Sequence, residues 1–134
     1  MSPQEAITAA LRAALTGTGA LSAPVNGVFD APPPRAVRPY LLIDDPVLSD
    51  WSTKDQEGRE VRTAVLVRDT FQARPRVRTL VADVEAAIAA MPPALGGGWR
   101  IASRVLLRSR TVDEGDGSLS GIVEHRVRML RATS

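Results

Sequence analysis

The chain has no cysteine. That removes disulfide staples, thiolate metal sites and a cysteine nucleophile together. It also fits a reducing cytoplasm. His125 is the only histidine, so a histidine metal cluster cannot form. Lys54 is the only lysine, and every other basic residue is arginine. Aromatics reach only 4%. No apolar run approaches the roughly 20 residues that span a bilayer, so no membrane segment is expected. Glu5 and Arg12 interrupt the first apolar stretch and no basic lead-in precedes it, which excludes a secretory signal reading.

What is present is ordinary for one globular domain: 134 residues, 44% hydrophobic and 24% charged. The net charge is only +2, yet the pI is about 9.9. Few groups titrate between pH 6 and 9, so a small excess moves the pI far. The pI is therefore not a nucleic-acid signature.

Ser2-Pro3-Gln4-Glu5 opens a helix, with a capping serine, proline at the first helical position and glutamate three residues after the cap. Ile7, Ala10, Leu11, Ala14 and Leu15 share its apolar face, and Gly17-Thr18-Gly19 ends it. Val28-Phe29 is a short strand candidate. The prolines at 32–34 and 39 predict a stiff extended arm lying over the domain. Tyr40–Ile43 reads as a strand, residues 44–58 as a long polar hairpin connection, and Glu60–Phe71 as a second strand. Asp69–Arg74 reads as a connector. Residues 76–91 carry a single apolar stripe through Val77, Leu80, Val84 and Ile88, then stop at Pro92-Pro93. Trp99–Thr111 and Leu119–Arg131 alternate with period two and join through the acidic, glycine-rich stretch 113–117. The expectation is a single α+β domain over 1–134, with a four-stranded, mostly antiparallel sheet and two helices packed on one face.

Catalytic and cofactor signals are poor, and neither an enzyme nor a cofactor is expected. Gly117-Ser118-Leu119-Ser120-Gly121 has leucine where a nucleophile elbow needs serine. Gly96-Gly97-Gly98 leads into a strand without the Lys-Ser/Thr of a phosphate loop. Asp113, Glu114 and Asp116 do not match calcium-loop spacing.

The informative feature is arginine. Simple alternation puts Arg100, Arg104, Arg108 and Arg110 on one face, with Arg126 and Arg128 on the partner strand. Three readings are open. The face is solvated, with arginine stems covering apolar atoms; it is a protein interface, where arginine pairs bidentately; or it binds nucleic acid. No aromatic interleaves the stripe to stack on bases. Trp51, set among Asp50, Ser52 and Lys54, is the candidate aromatic anchor of a loop that projects toward a neighbour.

In sequence order, several landmarks together resemble the tail terminator, or tail completion, family of long-tailed phages and gene transfer agents, most closely the gene-transfer-agent branch. They are the Ser-Pro-Gln-Glu-Ala-Ile opening helix and Val28-Phe29-Asp30 before prolines. Arg38-Pro39-Tyr40-Leu41-Leu42-Ile43, Asp50-Trp51-Ser52-Thr53-Lys54, the 76–91 helix and the closing hairpin come next. The resemblance covers almost the whole chain. It implies a structural virion protein forming a hexameric ring at the head-proximal end of the tail tube. Such a ring ends tube growth and joins the tail to a head-side connector. The implied partners are other copies of the chain, the tail tube protein, a head-side stopper, and DNA passing without sequence-specific binding. The implied locations are the bacterial cytoplasm during assembly and then the particle's tail. The alternatives are a small nucleic-acid-binding α+β module or a head-side stopper subunit of the same particle.

Overall fold

The computed structural model describes residues 1–132. In chain order it contains α1 (Pro3–Thr16), β1 (Val28–Phe29), β2 (Tyr40–Ile43), β3 (Val47–Asp50), β4 (Gln56–Thr70), α2 (Arg74–Ala89), β5 (Trp99–Asp113) and β6 (Ser118–Ala132). Ser2 caps α1 by accepting the Glu5 backbone N–H at 3.1 Å. Pro75 lies in the first turn of α2.

The class is α+β, but the sheet has six strands rather than four. Its order is β1-β2-β4-β6-β5, with β3 paired to β4 alongside β2's end of the sheet. β1 runs parallel to β2, and all other pairs are antiparallel. The additional strands are β1, two residues long, and β3, four residues long. β1 is the Val28-Phe29 strand expected from the sequence, whereas β3, within the long polar connection, gives no readable alternation. β3 also turns the long polar connection into a hairpin, and β4 begins at Gln56 rather than Glu60.

β4 and β6 pair without a slip from Gln56↔Ala132 to Thr70↔Ser118. Side chains alternate along a strand, so this register sorts residues onto two faces. Val61, Val65 and Val67 of β4 and Leu119, Val123, Val127 and Met129 of β6 are all fully buried. They share one cluster with Val77, Leu80, Val84 and Ile88 of α2 and with Ala6, Ile7, Leu11 and Leu15 of α1. Each large aliphatic buried there contributes roughly 1.5–3 kcal/mol by area.

The helices cover only part of the sheet. A strand of 15 residues spans about 50 Å, whereas the 16 residues of α2 span about 24 Å. α2 crosses β6 at Gly121, where an added Cβ would meet the Val81 methyl and lie 3.0 Å from the Val77 methyl. Both valines are stiff at χ1, so the helix itself has to move to admit a side chain. Gly121→Ala should therefore cost about 1–3 kcal/mol in a urea titration, and Gly121→Ala with Val81→Ala should recover part of the loss. A neutral single change would place the helix farther from the sheet than described.

Candidate functional site

Among the described residues, the second face of the sheet carries no helix. Arg62 and Arg68 of β4 lie there, with Arg126 and Arg128 of β6 and Arg100, Arg108 and Arg110 of β5. Glu60 and Glu124 are the acids among them on these three strands. Leu66, Ile122, Leu130 and Val105 sit between the charges. Glu60 meets Arg128 at 3.1 Å and Arg126 at 3.9 Å, and Glu124 meets Arg108 at 3.2 Å. Arg62, Arg100 and Arg110 are exposed and make no ion pair among the described residues.

Arg104 does not belong to this face. β5 slips against β6 between Ile101 and Ser103 and again between Leu106 and Arg108. Each slip inserts one residue and inverts the parity of the residues after it. Arg104 therefore pairs with Val127 on the helix face, while Arg100, Arg108 and Arg110 stay on the open one. Its guanidinium donates to the Ile88 carbonyl at 2.8 Å, satisfying a carbonyl at the C-terminal end of α2. Simple alternation could not anticipate two bulges.

Trp51 does not project. It is half-buried, with the Arg128 guanidinium 5.2 Å above its ring. The Trp51 backbone N–H donates to the Gly58 carbonyl at 3.0 Å, and Gly58 lies so close to the Trp51 carbonyl that a Cβ would collide with it. The neighbouring polar residues build the β3–β4 turn. Ser52 donates to Asp50 at 2.6 Å and accepts the Gly58 N–H at 3.0 Å. Thr53 accepts the Gln56 N–H at 3.0 Å, leaving Lys54 exposed at the tip. The acids of the β5–β6 loop are also turn builders. Asp113 accepts from Gly115 at 2.9 Å and Asp116 from Ser118 at 3.2 Å. The Ser118 bond holds the Asp116 carboxyl below the usual carboxylate range. No cluster of three or more metal-ligating groups occurs among the described residues. No helix there is long and apolar enough to cross a membrane.

β5 is an edge strand. Its first residues are covered, because Leu95 donates to the Trp99 carbonyl and Ile101 donates to the Pro93 carbonyl, both at 2.8 Å. Beyond that point Val105, Leu106 and Leu107 are exposed, at 41%, 44% and 36%. Among the described residues, no strand covers this part of the edge.

Two buried polar groups stand out: Asp69, which the sequence reading placed in a connector, and His125, which alternation puts on the apolar face of β6. Asp69 is not in a connector: it is the penultimate residue of β4, fully inaccessible, and accepts from Arg76 Nε and Nη2, both at 2.6 Å. The Thr70 N–H adds a bond of 2.7 Å. The clue was an acid at the inward parity of β4, two residues after Val67. Phe71, read from the sequence as the last residue of this strand, lies beyond it and is 45% exposed. His125 is buried opposite Thr63 and Leu106 with its Nδ1 unpartnered. Burial, and then the charge of Arg104, pushes its pKa below the ordinary value.

The family model described as Tail completion protein gp17 matches residues 9–130. No curated protein matches the chain. A solved chain from "Virion of native gene transfer agent (GTA) particle" has the same fold, with a TM-score of 0.69 and 23% identity. That match covers 96% of this chain and 95% of the other.

Two outcomes are expected from the buried groups. Arg76→Gln leaves the Asp69 carboxylate buried without its partner, so it should lower the urea midpoint more than Asp69→Asn with Arg76→Gln does. Additive losses would contradict the pairing. The second concerns pH. The unfolded chain protonates His125 near pH 6.5, before the folded chain does, so stability should fall as pH drops below about 6.5. His125→Gln should flatten that slope between pH 7.5 and 5.5, a window above the one where Glu57 and Asp116 titrate. An unchanged slope would mean that His125 titrates freely.

Proposed function

The chain belongs to the tail completion protein family, and from that premise we propose that it forms a ring at the head-proximal end of a tail tube. The ring ends tube growth and offers its other side to the head-side connector. The family match over residues 9–130 carries this reading, and the shared fold with a chain of a gene transfer agent virion supports it. On this reading the protein is a structural subunit of a phage-like particle. It assembles in the bacterial cytoplasm and ends in the particle's tail. Its partners are further copies, six in the closed ring, the tube protein and a head-side stopper. It carries no catalytic step.

The charged surface suits assembly better than nucleic-acid capture. Arg108, Arg126 and Arg128 are already engaged with Glu60 and Glu124, and Arg128 covers the Trp51 ring. A bore that gripped phosphates through many arginines would also resist DNA transit, so DNA passes such a ring without specific binding. The interface set is Arg100, Arg108, Arg110, Arg126 and Arg128, with Asp50, Trp51, Ser52 and Lys54 at the β3–β4 hairpin. Arg104 acts from the other face by holding the end of α2.

Cells whose chain is deleted should release tails of uncontrolled length and unjoined heads, scored by electron microscopy. Normal joined particles would refute the reading, and tails of normal length that fail to join heads would assign the stopper role instead. Exposed Arg–carboxylate pairs contribute only about 0.2–1 kcal/mol each. Reversing Arg108 and Arg110 to Glu together should therefore reduce the chain's incorporation into particles while the free chain stays folded. A salt-sensitive loss of DNA binding with unchanged incorporation would favour the nucleic-acid reading.

A further inference from the structure

The two long sides of the sheet are unlike and level with one another. The ladder places Val47 of β3, Arg62, Arg126 and Val105 of β5 in one row across the sheet. In a neighbouring row, Asp44 donates its N–H to the Ala64 carbonyl, Ala64 pairs with Glu124, and Glu124 pairs with Arg108. One row therefore ends in an exposed valine on each side, 69% exposed at Val47 and 41% at Val105. The other ends in an aspartate on one side and an arginine on the other. Asp44 and Asp45 are exposed and make no ion pair among the described residues.

We propose that the free edge of β3 in one copy adds to the free edge of β5 in a second copy, which extends the sheet from subunit to subunit. The proposal rests on the ring reading above and names its contact. The strand directions support it. β3 and β6 both run antiparallel to β4, and β5 runs antiparallel to β6, so β3 and β5 are antiparallel to each other. A copy placed beside another in the same orientation thus presents an antiparallel partner, which needs no inversion of the subunit. In that arrangement Val47 faces Val105, and Asp44-Asp45 face Arg108, whose side chain is 62% exposed and open to a second carboxylate.

The two β5 bulges frame the contact. Between them Ser103–Leu106 runs without a slip, and with Val47 opposite Val105 the residues Ser103–Val105 face Val47–Ser49. A bulge on either side stops pairing from spreading, as edge strands require when an edge has one intended partner. The level match also bears on closure. A contact between unlike surfaces repeats head to tail, and with no offset along the strands it closes by rotation instead of climbing into a filament.

The cysteine-free chain makes the contact directly testable. Val47→Cys, Val105→Cys and the double variant replace the natural chain in producing cells, and purified particles are analysed without reductant. Opposed residues of an antiparallel pair lie close enough for a disulfide. The double variant should give a ladder of covalent multiples of the chain that collapses on reduction, while each single variant stays unlinked. A mixture of the two single variants should give linked pairs only. Linking by Val105→Cys alone would mean that two β5 edges meet, and would overturn the proposal. Full incorporation of the double variant without any ladder would overturn the edge pairing while leaving the ring reading intact. Absence of the natural chain from particles would instead remove the ring reading itself.

Discussion

The unbroken pairing of β4 with β6 governs the rest of the molecule. Because it runs for the full length of both strands without a slip, every side chain on them has an assigned face. One face then takes valine, leucine and methionine against the helices, and the other takes arginine and glutamate. A slip of one residue would bury Arg126 and Arg128 beneath α2 and expose Val123 and Val127. The desolvation of two unpaired guanidinium groups makes such a slip prohibitive. Asp69 is the one carboxylate this register drives fully inside, and the bidentate contact from Arg76 compensates its burial while fastening the start of α2 to the end of β4.

The mismatch between strand and helix lengths has a functional consequence. A sheet about twice as long as its covering helix leaves backbone and side chains beyond the reach of its own core. Most of β5 is left in that position, with exposed aliphatics on an edge that no strand among the described residues covers. Such an edge is a liability for a solitary protein and an asset for a subunit. On the open face, glutamates hold three of the arginines in place, and aliphatic side chains fill the space between them. A surface of this kind gains little from any single ion pair and more from many pairs meeting in fixed register.

Much of the fold is legible in the residues, and the failures have specific causes. The stripe Val77, Leu80, Val84 and Ile88 specifies α2 because a 16-residue amphipathic helix repeats its period several times. The closing hairpin is readable for the same reason. β1 is legible as the Val28-Phe29 pair, whereas β3 is not, since four residues within a polar stretch complete too few periods to be seen. The β3–β4 turn shows how polar residues mislead. Ser52 and Thr53 resemble a solvated loop, but their hydroxyls replace missing backbone partners in a tight hairpin. Trp51 reads as a free anchor because sequence does not reveal that Arg128, far along the chain, lies over it. Arg104 falls on the wrong face because parity counting assumes a regular strand, and a bulge is a backbone event with no fixed residue signature. Asp69 is readable in principle: an acid at an inward position demands a buried partner, and Arg76 lies one turn into the next helix.

The central claim is that the β5 edge and the open face are surfaces of assembly. Amide hydrogen exchange, compared between the free chain and the chain within assembled particles, tests it most directly. New protection is expected at residues 103–106 and 47–50, with little change in α1 and α2, whose amides are already bonded within their helices. Protection confined to the helices, with the β5 edge exchanging as fast in particles as in the free chain, would contradict it.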